Sequence, residues 1–280
     1  MESLVHLFSL LNSVANVVGG IFALLMPTLP GWVSNTILSA VMAVPFLVVF
    51  KYTSNQSAIG RIKDRIKANM LAMKLYKDEI EVTIYAQCDI MYRAFLLLLN
   101  ALLPLVVMIV PVMLLLGQMG LWYQARPLAV GDETILSVSI LGAVGDAWPD
   151  VVLAPNDGVE LTIPKTMLDT DREMWWKIKC LNEGTHELVF LVDGEKVTKS
   201  LSVGEGIMKV SMKRPSYSML DLMLHPAETP FTAESKIQSI AVVYPASDAF
   251  TCGKDNWVLW FLIVSMIAAF ALKPFLGVKF

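Results

Sequence analysis

One block of sequence constrains this chain more than any other, because residues 94–118 carry no charged side chain over a length that can cross a bilayer. Two further blocks, 31–50 and 256–272, are also uncharged, and their apolar runs end at Lys51 and Lys273. Only 17% of all residues are charged, whereas an ordinary soluble domain is about a quarter charged. The sequence therefore predicts a membrane protein with three spans and a soluble part.

The first 26 residues have a polar stripe on an otherwise apolar helical pattern, with members spaced by three and four. The stripe consists of Glu2, His6, Ser9, Ser13, Asn16 and Gly20. We expect an amphipathic interfacial helix here. The Lys and Arg residues usual in such a helix are missing, so a fourth span remains open. A secretory signal is not expected, because there is no basic segment ahead of the apolar run.

The charge of the segments between the spans predicts the orientation. Residues 51–93 hold eight Lys or Arg against five Asp or Glu, and residues 119–255 hold twelve against nineteen. Short basic loops stay in the cytosol, so we expect the 51–93 segment to be cytosolic and the later segment to lie outside. A prokaryotic cytoplasmic (inner) membrane is the expected location. The net charge of -3 gives no footprint for nucleic acid.

From Thr134 the apolar period changes from that of helices to that of strands. The strand-like runs are ILSVSIL, VELTIP, MWWKIKCL, HELVFLV, KVTKSLSV and SIAVVY. Asp193 and Gly194 stand between two of them, which is a strong hairpin signal. Trp176, Ile178 and Cys180 alternate with polar or exposed positions, which predicts one apolar face. The sequence thus predicts an extracytoplasmic all-β sandwich of immunoglobulin-like architecture, although the Cys…Trp…Cys pattern of true immunoglobulin domains is absent.

No arrangement of residues in the chain is typical of catalysis or of metal binding, so we expect neither an enzyme nor a cofactor. His186 and His225 have no Cys or His at metal-ligand spacing. The acidic segment 168–173, LDTDRE, lacks the glycine and the distant glutamate of a calcium loop, which favours a solvated turn. Of the cysteines, Cys180 is expected to be a buried strand residue, with a disulfide to Cys252 as the alternative.

The predicted cytosolic segment has a helical period from Ile59 to Ile80. We favour two antiparallel helices with a turn near Lys77 and Asp78, and one helix lying along the membrane surface is the alternative. Basic and methionine side chains of this segment are candidates for contact with clients or ribosomes, since flexible Met side chains can hold varied apolar partners. These candidates are Arg61, Lys63, Lys67, Met70, Met73, Lys74 and Lys77.

The longest span has one imperfect face. Asn100, Pro104, Pro111 and Gln118 are spaced by four, seven and seven, which keeps them near one side of a helix. A proline in a helix frees a backbone carbonyl, and an amide in lipid needs a partner. This face either lines a polar groove or only binds the helices together, and the sequence leaves the two alternatives open.

Two segments in succession, RIKDRIKANMLAMKLYKDEIEV and RAFLLLLNALLPLVVMIVPVMLLLGQ, resemble the core of the Oxa/YidC superfamily of membrane insertases. In size the chain is similar to the three-span branch that includes archaeal DUF106-type proteins. The resemblance implies a polar intramembrane groove, open to the cytosol and to lipid, that receives hydrophobic client polypeptides. It also implies contact with ribosomes.

The groove candidates are the polar and proline residues of the three spans, namely Asn35, Ser39, Asn100, Pro104, Pro111, Gln118 and Ser265. Two features depart from the family. No span has Lys or Arg in its interior, whereas bacterial members carry a basic residue in the groove. The β-domain also stands between the second and third spans rather than ahead of the core.

The predicted organisation comprises residues 1–27 (interfacial helix), 28–50 (first span), 51–93 (cytosolic hairpin), 94–118 (second span), 119–254 (β-sandwich), 255–273 (third span) and 274–280 (cytosolic tail). The alternative function is a structural or sensory module, in which the spans only anchor a sandwich that binds an extracytoplasmic protein partner. That alternative predicts tightly packed spans and an exposed apolar patch near Trp148 or Trp175.

Overall fold

The computed structural model describes residues 10–13, 16, 29–143, 145–247, 251, 253 and 256–278. Its helices of six residues or more are α1 (Gly31–Thr53), α2 (Gln56–Leu75), α3 (Ile80–Tyr123), α4 (Met219–Leu224) and α5 (Asn256–Leu276). Its strands are β1 (Glu133–Ile140), β2 (Val151–Leu153), β3 (Val159–Leu168), β4 (Glu173–Cys180), β5 (Gly184–Val192), β6 (Glu195–Val203), β7 (Lys213–Arg214) and β8 (Ile237–Val242).

The chain divides into two compact units. The first, which we call the β-unit, consists of Met1–Asn35 and Met113–Trp260. The second, the helix unit, consists of Thr36–Val112 and Phe261–Phe280. Most of the predicted interfacial helix at 1–27 lies outside the described residues.

Three helices, α1, α3 and α5, are long and apolar enough to cross a membrane, which confirms the prediction of a membrane protein at that level. Each backbone amide in such a helix bonds within the helix itself. A helix with apolar side chains can therefore face lipid without leaving backbone polar groups unsatisfied. Helix α3 is one continuous helix of 44 residues, about 66 Å long at 1.5 Å per residue. It passes through Pro104 and Pro111 and has no break where the sequence separates the hairpin from the span.

Helices α2 and α3 are joined by a tight turn at residues 76–79. The side chain of Asn55 accepts a hydrogen bond from the backbone of Ala58 and caps the start of α2. Asn69 donates to Asp89 on the other side of the turn, and Asp89 also pairs with Arg93 at 2.8 Å. Because Asn69 and Asp89 lie at similar distances from the turn, this bond places the two helices antiparallel.

The β-unit contains two antiparallel sheets. One has the strand order β3-β4-β1-β8-β7 and the other has the order β2-β5-β6. In the β5–β6 hairpin, Val192 pairs with Glu195 across Asp193 and Gly194, whose φ angles are 48° and 90°. Two successive positive φ angles are those of a type I′ turn, so the predicted hairpin is confirmed.

The two sheets share one apolar core. Trp176 of β4 and Phe190 of β5 meet edge to face, with ring centroids 5.7 Å apart. Ile178 and Cys180 are also fully buried, which confirms the predicted inward face of β4. Cys180 has a free thiol whose pKa is raised to about 11 by burial, and its alternative partner Cys252 lies outside the described residues.

Candidate functional site

The helix unit has an open cavity of about 760 Å³ whose lining is apolar throughout. Its lining residues are Phe50, Ile59, Ala94, Leu97, Leu98, Ala101, Leu105, Met108, Ile109 and Val112. Eight of these ten residues belong to α3, and their spacing of mostly three and four places them on one helix face. We call this cavity the apolar groove. Its α3 side chains include Leu98 and Leu105, which are 58% and 59% exposed.

The polar-edged face of α3 is a different face. At 100° per residue, Asn100, Pro104 and Pro111 lie roughly 100° around the helix from the centre of the apolar groove. Pro104 is buried, and Asn100 donates its side-chain amide to the carbonyl of Leu96 in its own helix at 2.8 Å. None of the seven groove candidates is among the described lining residues of the apolar groove.

Each of the other polar candidates has its own local environment. Asn35, with no exposed area, donates to the carbonyl of Thr251 at 2.9 Å, and both residues belong to the β-unit. Ser39 is fully buried in α1, and Ser265 donates to the carbonyl of Leu262 in α5 at 3.2 Å. These bonds are of the kind that hold a helix or a segment in place.

Gln118 belongs to a polar cluster in the β-unit. Its side-chain amide lies 3.4 Å from the side-chain oxygen of Asn16, which also accepts a hydrogen bond from Lys209 at 3.0 Å. Burial lowers the pKa of Lys209 below its ordinary value. Asn16 in turn donates to the carbonyl of Pro226 at 2.9 Å, so this cluster connects Asn16 to the later part of the β-unit.

The basic and methionine candidates of the cytosolic prediction lie on α2 and in the turn that follows it. Five are exposed, namely Arg61, Lys67, Met70, Lys74 and Lys77, whereas Lys63 and Met73 are half-buried. The pKa of Lys63 is lowered by partial burial and by the positive charges of Lys273 and Lys67.

Large apolar side chains are exposed next to these cations, near the tip of the hairpin. They are Leu71, Leu75, Tyr76, Ile80, Ile84 and Tyr85. An exposed apolar patch with a charged rim is typical of an interaction surface. The sequence analysis named Met70 and Met73 here but not these leucine, isoleucine and tyrosine residues. Their positions on both sides of the predicted turn at Lys77 and Asp78 were the signal that could have identified them.

The β-unit has two further cavities, of about 630 and 450 Å³, at one end of the sheets. Both include Asp193 and Lys236, which form an ion pair at 2.6 Å, and the smaller one also includes Trp148 and Arg172. Val203 at the other end of β6 bridges to Leu128, five residues after the end of α3. Eight strand steps of about 3.3 Å put these cavities about 26 Å from that junction.

A buried ion pair in the β-unit was not predicted from the sequence. Lys199, with 0% exposure, donates to Glu228 at 2.6 Å and to the carbonyl and hydroxyl oxygens of Ser211. Burial lowers the pKa of Lys199, and the carboxylate of Glu228 opposes that shift. The strand alternation could have indicated it, because Lys199 shares the face of Leu201 and Val203 in β6.

No group of three His, Cys, Asp or Glu side chains that could hold a metal ion occurs within the described ranges. The acidic segment 168–173 forms the turn between β3 and β4, where Arg172 has a φ of 51°. The guanidinium of Arg172 donates to the carbonyls of Ala143, Asp146 and Ala147, so this turn is held by a buried cation.

Comparison with models of protein families, with curated proteins and with solved structures gives no match for this chain.

Proposed function

We propose that this chain is an insertase-like membrane chaperone that receives apolar segments of client polypeptides in the apolar groove of the helix unit. The observation that carries the proposal is the groove itself, a cleft of about 760 Å³ in helices apolar enough to lie in a membrane. The proposal moves the client site from the polar-edged face of α3 to a different face of the same helix, about 100° away. The resemblance of the α2 and α3 segments to the Oxa/YidC superfamily, and to its three-span branch, also supports the proposal.

The chemistry of the groove favours weak and reversible binding. Lipid tails are about as apolar as leucine, so a client helix gains no hydrophobic free energy by leaving lipid for the groove. It gains only packing contacts with side chains such as Leu98, Ala101 and Leu105. A site of this kind holds a segment briefly and releases it, as a chaperone must.

The hairpin supplies the second part of the proposed function. Ile59 of α2 lines the apolar groove, so the hairpin and the groove are continuous in the helix unit. Exposed cations such as Lys67, Lys74 and Lys77 would face the cytosol and attract acidic surfaces of clients or the phosphates of ribosomes. The immunoglobulin-like β-domain would then lie outside a prokaryotic cytoplasmic membrane, with α1, α3 and α5 as its spans.

A second candidate function is favoured by the two cavities of the β-unit. They stand about 26 Å along β6 from Val203, and they offer Trp148, Arg172 and the Asp193–Lys236 ion pair. A tip with an aromatic side chain and mixed charges is suited to binding a protein partner. In this alternative the helices anchor a sensory or structural module.

Photocrosslinking in cells tests the proposal. A photoreactive amino acid at Leu98 or Leu105 should crosslink to many short-lived nascent membrane proteins. Ile267 of α5 is the matched control, since it is 62% exposed and is not among the described lining residues of the groove. It should crosslink mainly to lipid.

Equal patterns from Leu98, Leu105 and Ile267 would reject the groove as a client site. Crosslinks to one fixed partner would favour the anchored module instead.

The variant Ala101→Phe gives an independent test of the proposal, because the larger side chain fills the apolar groove from its own lining. We expect it to lower insertion of clients without lowering the unfolding temperature, whereas Ala268→Phe in α5 should change neither.

A further inference from the structure

The short helix α4 has an unusual surface for a segment of a β-domain. Its sequence is MLDLML, and Leu222 and Met223 point into the β-unit, where they are buried. Met219, Leu220 and Leu224 are exposed, and Leu220 is 63% exposed. Three large exposed apolar side chains within six residues would be unfavourable in water, at roughly 25 cal/mol for each Å² of apolar surface.

The only charge of α4 is engaged elsewhere. Asp221 accepts hydrogen bonds from Lys213 at 2.9 Å and from the backbone and hydroxyl of Ser216 at 3.0 and 2.7 Å. The carboxylate of Asp221 is thus paired within the β-unit. Helix α4 therefore has two apolar residues buried in the domain, one paired charge and three exposed apolar side chains.

Close backbone contact fixes the position of α4 along α3. The carbonyl oxygen of Met223 lies 2.1 Å from where a Cβ on Gly117 would be, so only glycine allows this approach. Asn12 donates to the carbonyl of Leu222 at 2.8 Å, and Asn16 donates to the carbonyl of Pro226 at 2.9 Å. Helix α4 is thus held at the level of Gly117.

Tryptophan residues mark the membrane boundary near that level. Trp32 opens α1, Trp122 closes α3, and Trp257 opens α5, all within the β-unit. The ring of Trp257 comes within 3.6 Å of where a Cβ on Gly120 would be, which places it beside the last turns of α3. Tryptophan is enriched at the membrane–water interface, so Trp32, which is 57% exposed, and the half-buried Trp122 indicate the headgroup level, whereas Trp257 is buried in the β-unit.

The distance from that level gives the depth of α4. Gly117 lies five residues before Trp122 on α3, which is about 7.5 Å of helix rise towards the apolar stretch. Interfacial helices bury their apolar face about 5–10 Å into the boundary between headgroups and acyl chains. The depth of α4, about 7.5 Å, falls within this range, and its exposed apolar side chains are of the kind that such a helix inserts.

We propose that α4 is a membrane-interface helix that inserts Met219, Leu220 and Leu224 into the leaflet on the β-domain's side. The ligand is the lipid surface itself, with acyl chains against the three side chains. The helix would restrict the β-unit to one tilt on the membrane, in addition to its connections to the spans. This inference is independent of the proposed insertase function, because it needs only the spans and the β-unit.

A fluorescence experiment on the full chain tests the inference. The protein carries Leu220→Cys labelled with nitrobenzoxadiazole, in a background with Cys88→Ser and Cys252→Ser, and is placed in phosphatidylcholine vesicles. Cys180 is retained, because burial raises the pKa of its thiol to about 11 and keeps it unreactive. Val152→Cys is the control, since Val152 is 48% exposed and pairs with Leu191 at the far end of the sheets.

We expect the label at Leu220 to be quenched by phosphatidylcholine carrying a doxyl group at a shallow acyl position and to be protected from aqueous iodide. The label at Val152 should behave in the opposite way, with iodide quenching several-fold stronger. Quenching of Leu220 by iodide to the extent seen at Val152 would overturn the inference. Protection of Leu220 from both quenchers would also overturn it, since a second copy of the protein would then cover the helix.

Discussion

Buried polar groups of the β-unit and two polar residues of the spans, Asn100 and Ser265, satisfy their hydrogen bonds in different ways. In the β-unit, Lys199 bonds to Glu228, and Asn35 bonds to Thr251, which is 216 positions away in the sequence. In the helix unit, Asn100 and Ser265 each donate to a carbonyl of the same helix, three or four residues back. Long-range bonds therefore define the β-unit, whereas the described bonds of these two span residues are local.

This difference has a physical origin in the two environments. A polar group in the interior of a water-soluble fold has left water and needs a partner from elsewhere in the chain. A helix in lipid already satisfies its own backbone, and a short polar side chain can bond to the preceding turn. At Asn100 and Ser265 the spans can consequently shift without breaking a described polar contact to another helix, which suits a groove that opens to clients.

The largest effect is expected where the β-unit buries a full charge. Glu228→Gln leaves Lys199 as an uncompensated cation with 0% exposure, which should lower the free energy of unfolding by about 3–5 kcal/mol. Thermal and chemical unfolding of the β-unit, followed by near-ultraviolet circular dichroism in detergent, measures this loss. The control Glu133→Gln removes the partner of Lys177, an ion pair of the same 2.6 Å length on the surface, and should lower the free energy of unfolding far less, because solvent screens an exposed pair.

The same variant has a defined pH dependence. Burial lowers the pKa of Lys199 in the folded protein, whereas the unfolded value is 10.5, so the unfolded state binds more protons between these two values. Stability therefore rises with pH in that window. Removal of the Glu228 carboxylate charge lowers the pKa of Lys199 further. The rise in the free energy of unfolding with pH should therefore begin at a lower pH in Glu228→Gln than in the native protein. A loss of stability as pH rises towards 10 would contradict this explanation.

A smaller effect is expected where the β-unit meets the start of α1. Asn35→Leu removes the buried hydrogen bond to the Thr251 carbonyl and should lower the free energy of unfolding by about 1–3 kcal/mol. The same unfolding measurement tests it, with Ile37→Asn as a control at a neighbouring exposed position of α1. If Asn35→Leu leaves stability unchanged, the bond from Asn35 does not hold the start of α1 to the segment at Thr251. Asn35 would then again be a candidate residue of a polar groove.

The sequence was sufficient for elements whose signal is local. The inward alternation of Trp176, Ile178 and Cys180 predicted the core face of β4, and Asp193–Gly194 predicted the turn of the β5–β6 hairpin. Both depend only on the period of the strand and on the positive φ that glycine and aspartate permit. The three spans were also predictable, because length and lack of charge decide them.

The other features of the fold and of the candidate site depended on contacts between distant residues or on elements too short to show a periodic pattern. Thr251 as the partner of Asn35 is set by the fold of the whole β-unit, so no local pattern could reveal it. Helix α4 has only six residues, fewer than two helical turns, and Pro215 and Pro226 on either side were the only local indication of a separate element. The apolar groove was missed because the sequence drew attention to polar residues, whereas leucines that line a groove look like leucines that face lipid.

The smallest effect on stability is expected in the middle of α3, and it separates stability from function. Asn100→Leu removes a hydrogen bond to the Leu96 carbonyl, which already takes part in the helix, so the free energy of unfolding should change by about 0.6 kcal/mol or less. Because Asn100 lies on a different face of α3 and is not among the described lining residues of the apolar groove, we predict that this variant leaves client insertion per folded molecule unchanged. Weaker insertion by Asn100→Leu would return the client site to the polar-edged face. Insertion of a reporter membrane protein into vesicles, normalised to folded protein, measures the activity, and Leu102→Asn at an exposed position of the same helix serves as the control. If Asn100→Leu unfolds the protein while insertion per folded molecule stays normal, Asn100 only binds helices together, and the difference between the two units would disappear at this residue.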